Sequence, residues 1–280
     1  MRQGHSGATP PKEALLSMLC GWVLQRFVCR DDPYVVLDLN AGNPTYDIDG
    51  RIYRGTTMIM LDKLVKIEQR AEVFWCDRSR LVTGRLLEAL NNRNQQQSLF
   101  QHESPQRVHV VRSENEVFLD GIESVFFQLQ LNVRHIRGLV ISDSNGIAVP
   151  LAGLGRLMKR AHFMDVFIHL CGYKRVWGYW DKYPGTKFMR ETGNRVGSLV
   201  EIFSTIPKAT WLMTDAIRRR GDDHLLLYGT NLRLMPPIRD RYNLPSMFNI
   251  NSSEGRHILQ RNERESMRHH WHDVAIASVR

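Results

Sequence analysis

The sequence predicts an α/β fold built on a mostly parallel sheet of about six or seven strands, flanked by helices. Two observations carry this. Apolar runs of strand length alternate with segments of helical periodicity five times between residues 34 and 170, which calls for crossover connections and so for parallel strands. The runs at 34–39, 72–77 and 137–142 each contain, end on or lead into an aspartate, and glycines stand shortly after the first and third. In open α/β sheets ligands bind at those carboxyl ends. A chain of 280 residues can bury a full core, as one large domain or one domain with an appendage.

Taken in order, residues 1–11 are polar, with a Pro pair, and are expected to be disordered. Residues 12–29 carry helical apolar spacing through Leu15, Leu16, Leu19, Trp22, Val23 and Phe27. YVVLDL, 34–39, reads as a buried strand, followed by a polar loop to Gly55. A helix is expected over 56–69, a strand over 72–77 and a helix over 79–92. The segment from Asn91 to Gln106 is polar and reads as a connection. Then come strand 107–111, helix 115–131, strand 137–142, helix 150–161 and strand 164–170. Residues 172–220 form an aromatic and basic stretch passing into helical patterns at 196–218. HLLLYGT, 224–230, is a sixth strand. The α/β domain is thus expected to span 12–250, with a charged, helical tail over 251–280 as a C-terminal elaboration.

Composition narrows the function classes. No run of about 18 apolar residues exists, so no membrane helix is expected, and the N-terminus reads as lacking a signal peptide. Four scattered cysteines argue against a disulfide framework or a zinc ribbon and suit the cytoplasm. The formal charge of +9 is consistent with a polyanionic partner such as nucleic acid, and equally with a merely basic surface.

The strand ends supply the candidate site: Asp38 to Gly42, Asp77, Ser113 to Asn115, and Asp143 to Gly146. A glycine at 42 lets the backbone turn tightly beside a ligand. Asp77, ending the second strand, is placed to accept the hydroxyls of a ribose; its structural alternative is to cap the helix from Ser79. The alternatives elsewhere are a capping turn at Asp38, helix capping at Glu114 and Asn115, and an Asp–Gly turn after Asp143. A dinucleotide would need G-x-G-x-x-G and a short loop, and neither is present. S-adenosylmethionine has no pyrophosphate and needs no such cradle.

DLNAGNP (38–44) resembles the D-L-F-A-G-P-G loop of class I S-adenosylmethionine-dependent methyltransferases. GTTMIMLDKL, FWCDRS, and ISDSNGIAVPLAGLGRLM followed by MDVFIHL extend the resemblance to the three-Cys-motif partner (TcmP-like) family, over roughly residues 30–235. That resemblance implies a Rossmann-like methyltransferase fold with S-adenosylmethionine as cofactor. It implies cofactor contacts from Asp38, Asn40, Ala41, Gly42, Asp77, Arg78, Glu114 and Asn115, and catalytic roles for Asp143, Ser144 and Asn145. Two departures stand out. Pro44 replaces the second loop glycine and Asn40 the aromatic, so the methionine end is expected to be held differently. Asp143-Ser144-Asn145-Gly146 lacks the prolines and aromatic of the [D/N/S]-P-P-[Y/F/W] motif of nucleic-acid amino-methyltransferases.

GYKRVWGYWDKYPGTKFMR, 172–190, interleaves Lys174, Arg175, Lys182 and Lys187 with Trp177, Tyr179 and Trp180. Cations for phosphates and rings for bases are what a flipped base or single strand requires; a surface loop packed on the sheet edge is the alternative. MRHHWHD, 267–273, does not place all its histidines on one face in either a helix or a strand, so no metal site is expected. The expected function is methyl transfer to DNA or RNA, at an exocyclic amine. Two alternatives stay open: a non-catalytic nucleic-acid- or protein-binding protein that keeps the fold, and another group transfer or base modification on it.

Overall fold

A computed structural model gives the structure of the chain. It describes residues 15, 17, 18, 33–48, 50–66, 68, 70–98, 106–143, 149–171, 199–215, 217–219, 222–232 and 246–262. In chain order the elements are β1 (Tyr34–Asp38), β2 (Thr45–Ile48), β3 (Arg51–Arg54), α1 (Thr56–Lys66), β4 (Ala71–Cys76), α2 (Arg80–Ser98), β5 (Gln106–Val111), α3 (Asn115–Gln128), β6 (Arg137–Asp143), α4 (Leu151–Arg160), β7 (Met164–Cys171), α5 (Leu199–Thr205), β8 (Thr210–Thr214), β9 (Ile217–Arg219), β10 (Asp222–Thr230) and β11 (Met247–Asn249). A last helix, α6, covers 253–262.

The strands form one nine-stranded sheet in the order β11-β8-β10-β7-β6-β1-β4-β5, with β9 paired to β10. Five strands, β5, β4, β1, β6 and β7, run parallel, as the alternation predicts. β10 is antiparallel to both β7 and β8, so β8 runs with the parallel set. From β1 the chain moves outward through β4 to β5, then returns to β6 on the other side. That reversal puts the topological switch point between β1 and β6, where a ligand crevice is expected.

Helices on both faces explain why the strands are apolar at both parities. On one face Val35, Leu37, Val140 and Ile168 pack with Phe118, Ile122 and Phe126 of α3, Leu154 and Leu157 of α4, and Ile202 of α5. On the other, Val36, Val73, Trp75, Ile141, Phe167 and Tyr228 pack with Met58, Leu61 and Leu64 of α1, and Val82, Leu86 and Leu90 of α2. Each such fully buried large side chain contributes about 1.5–3 kcal/mol.

Three stretches differ from the sequence reading. The polar loop to Gly55 contains the hairpin β2–β3, stacked through Tyr46 and Tyr53. α2 runs on to Ser98, where an Asn- and Gln-rich tract without an apolar stripe reads as a connection. The helical pattern over 196–218 is helix only at α5 among its described residues. Pro207 removes an amide donor after it, and Thr210–Thr214, five consecutive buried residues, enters the sheet as β8, with β9 after it. The sheet therefore exceeds the expected six or seven strands. No helix among the described residues is long and apolar enough to cross a membrane.

Candidate functional site

At the carboxyl end of β1 the chain turns away under tight control. Leu39 donates its amide to Ile141 O (2.9 Å) and Ala41 donates to Cys76 O (3.0 Å), so the loop is stitched to both neighbouring strands. Asp38, 1% exposed, accepts the Asn40 amide on Oδ1 at 3.3 Å. Ala41 is buried, and Gly42 follows with φ +64°. A left-handed residue there is what a glycine permits at least cost.

Asp77 ties this loop to the end of β4. Its Oδ2 accepts the Gly42 amide at 3.3 Å and its Oδ1 the Ser79 amide at 2.8 Å. Ser79, rather than Asp77, caps α2: its Oγ accepts the Val82 amide at 3.4 Å. Asn115, opening α3, donates its side-chain amide to Asn40 Oδ1 at 3.3 Å. Arg78 and Glu114, both largely exposed, approach to 3.9 Å, a pair worth about 0–1 kcal/mol. The eight residues named for the cofactor thus converge at the ends of β1, β4 and β5.

The charge of this edge registers on Cys76. Its buried thiol is pushed up to about 12, first by burial, then by the carboxylates of Asp77 and Asp38, with Glu114 adding a smaller push. A sheet edge lined by these carboxylates suits a ligand carrying ammonium, sulfonium or ribose hydroxyl groups. It is poorly suited to a pyrophosphate.

Asp143 closes β6 on the same sheet face as Asp38, two residues past the β1–β6 register pair Asp38↔Ile141. Its register partner on β7 is His169. Asp143 Oδ1 lies 2.6 Å from His169 Nδ1, and His169 Nε2 lies 3.0 Å from His224 Nδ1. The two rings are within 7° of parallel. His169 is 7% and His224 1% exposed. Because β10 runs antiparallel, its beginning rather than its end lies at this edge, which is how His224 reaches His169.

The sequence reading passed over both histidines. Their signal was a histidine set against an apolar run, near the end of MDVFIHL and at the head of HLLLYGT. Ser144 and Asn145 lie outside the described residues, as do Lys174, Arg175, Trp177, Tyr179, Trp180, Lys182 and Lys187 of the aromatic–basic segment, and residues 267–273. Among the described residues no group of three or more His, Cys, Asp or Glu is arranged to hold a metal ion.

No protein-family model and no curated protein matches the chain. Among solved structures it is similar to protein LPL1258 of Legionella pneumophila, a DUF519 protein, with 12% identity and a TM-score of 0.51 over 92% of each chain. It is also similar to a DUF574 protein of Streptomyces avermitilis, with 10% identity and a TM-score of 0.48 over 79% of this chain and 83% of that one. An S-adenosylmethionine-dependent methyltransferase of Agrobacterium tumefaciens aligns at 15% identity and a TM-score of 0.39, over 78% and 62%. At such identities the shared property is the fold, and LPL1258 carries it. This chain thus shares with LPL1258 the fold of a mostly parallel α/β sheet flanked by helices.

Proposed function

We propose that the chain is an S-adenosylmethionine-dependent methyltransferase whose target is a nucleic acid, acting at an exocyclic amine. The observation that carries this reading is the convergence of Asp38, Gly42, Asp77 and Asn115 on one carboxylate-edged loop at the switch point of the sheet. The donor set fits the cofactor: Asp77 would hold the ribose, Asp38 and the 40–42 backbone the methionine end, and Glu114 with Asn115 the adenine side. When bound, S-adenosylmethionine supplies a methyl group made electrophilic by its sulfonium. The chain's own part is positioning and proton removal. Asp143 accepts the target's N–H and takes its proton, with Ser144 and Asn145 beside it in sequence. The charge of +9 and the basic, aromatic segment 172–190 favour a polyanionic target with flat bases. The likeness to the three-Cys-motif partner family rests on the sequence motifs.

A second reading, a binding protein that has kept the fold, is favoured by Pro44 and by the missing prolines after Asp143. Calorimetry with S-adenosylmethionine tests the first reading, beside Asp38→Ala and Asp77→Ala. Micromolar binding in the parent, weakened at least about tenfold in each variant, is the expected result; tenfold corresponds to about 1.4 kcal/mol. A folded parent that binds no cofactor would leave the second reading standing.

A further inference from the structure

We propose that the corner of the sheet where β6, β7 and β8 begin and β10 ends is a docking surface for single-stranded nucleic acid. Phe163 is its stacking platform for a base, and Arg134, Arg137 and Lys159 are its phosphate contacts. The target is thereby gripped at the edge opposite the candidate site; this rests on the nucleic-acid part of the reading above and not on the cofactor.

Strand direction brings these residues together. β6 and β7 are parallel neighbours, paired Gly138↔Met164, and β10 runs back between β7 and β8, so its end meets their beginnings. Asn231, just past β10, stitches the turns: its side-chain amide donates to His162 O at 2.6 Å, and its Oδ1 accepts the Ala209 amide at 2.9 Å. Lys208 donates to Met164 O beside them. The corner is therefore a bonded platform rather than a set of separate loops. On it Phe163 stands 48% exposed, with the Arg137 guanidinium 5.9 Å from its ring centroid and the His162 ring edge-on at 5.4 Å. A second exposed ring, Phe127 at 84%, lies near the end of α3, just before the turn that leads to β6.

The charge of this corner has one sign. Residues 129–138, 157–164, 206–210 and 230–232 include Arg134, Arg137, Lys159, Arg160 and Lys208 and no Asp or Glu. Asp165, next in the chain, is buried and accepts the Tyr228 hydroxyl at 2.7 Å. Arg160 pairs with Glu123 of α3. Lys159 suits the C-terminus of α4, whereas Arg134, exposed in a turn, serves no helix end. The candidate site at the other edge is mixed: Arg78, Arg80 and Arg112 stand among Asp38, Asp77, Glu114 and Asp143. A polyanion is thus attracted more strongly at the amino edge of the sheet than at the carboxyl edge. Rings beside cations are what a single strand uses, since its bases are free to stack on them. An acidic peptide or a lipid headgroup would use the cations and leave the ring idle. β6 runs from Arg137 at this corner to Asp143 at the candidate site, about 20 Å, so a strand held here extends well past the reacting nucleotide.

Fluorescence anisotropy of the full chain with labelled oligouridine and oligothymidine, and with a duplex of the same length, tests the surface. The parent should bind the single strands more tightly than the duplex. Phe163→Ala should weaken single-strand binding about tenfold. Arg134→Ser with Lys159→Ser should flatten the dependence of log K on log salt by roughly 0.7 for each cation removed. Calorimetry should find S-adenosylmethionine bound by every variant as by the parent. Variants that bind oligonucleotides with the parent's affinity and salt slope overturn the inference. So does dependence on the cations without dependence on Phe163, which would make the corner a surface for an acidic peptide or a lipid headgroup. A parent that binds no oligonucleotide overturns it together with the nucleic-acid target, while leaving the cofactor reading intact. A parent that binds no cofactor, yet loses oligonucleotide affinity in Phe163→Ala, upholds the surface and sinks the methyltransferase reading alone.

Discussion

Gly42 concentrates the residue-scale logic of the site. Its amide is held by Asp77 and its φ is +64°. The nearest atom to an added Cβ would be Asn40 O, 3.7 Å away, so there is space for a methyl group but not for its backbone conformation. Gly42→Ala should therefore cost about 1–2 kcal/mol, read as a lower urea midpoint, and should do so through strain alone. Asp38, Gly42, Asp77 and Asp143 were legible in the sequence because each is a polar or bare residue at or just past the end of an apolar run. His169 and His224 were not, because His169 lies within an apolar run, His224 stands before one rather than at its end, and their partnership spans 55 positions, which only the register of β7 and β10 brings together.

At the scale of elements, the hairpin β2–β3 resolves part of the puzzle set by Pro44. Thirteen residues after Gly42, Gly55 returns to the loop and donates its amide to Pro44 O at 2.8 Å, just before α1 begins. A Cβ on Gly55 would stand 2.2 Å from Asn43 O. The glycine that the loop lacks at position 44 is thus matched by a second close-packed glycine delivered across the hairpin. Gly55→Ala should lose about 2 kcal/mol or more, since the obstacle is backbone rather than a side chain that can swing away; a urea midpoint well below that of Gly42→Ala would bear this out. The hairpin was legible but passed over in a loop read as merely polar: Tyr46 and Ile48 alternate with polar residues up to Asp49-Gly50, the dipeptide that suits a two-residue hairpin turn. Conversely, the stretch 196–218 looked helical because Leu199, Ile202, Phe203 and Ile206 fall at helical spacing, although Pro207 ends that pattern after α5 and the chain passes into β8.

For the whole molecule, the five-fold alternation made the parallel half of the sheet readable, but nothing local announces that β10 slots between β7 and β8. Among the described residues two buried groups, Lys208 and Cys76, have acidities shifted in ways that bear on the response to alkali. Lys208, whose ammonium bonds Met164 O at the opposite edge of the sheet, is lowered by burial to about 8 from 10.5, with Asp165 pulling the other way. Between those values the unfolded chain binds a proton that the native state does not, so this group makes stability rise with pH. Cys76 acts with the opposite sign: its contribution is complete below 9.0 and is lost as pH climbs toward about 12. Urea midpoints should therefore climb from pH 8 to 9, level between 9.0 and 10.5 where the two groups oppose each other, and fall above that; Lys208→Met should flatten the climb and Cys76→Ala should soften the fall. The interleaved strand order also dictates a schedule during synthesis. A ribosome releases β7 and β8 before β10 exists, so for some fifty residues of translation β7 is a bare edge with its amides and carbonyls unpaired, the kind of template on which neighbouring chains pair. The nascent chain must then keep β8 from closing on β7 until the strand bearing His224 emerges to take the place between them.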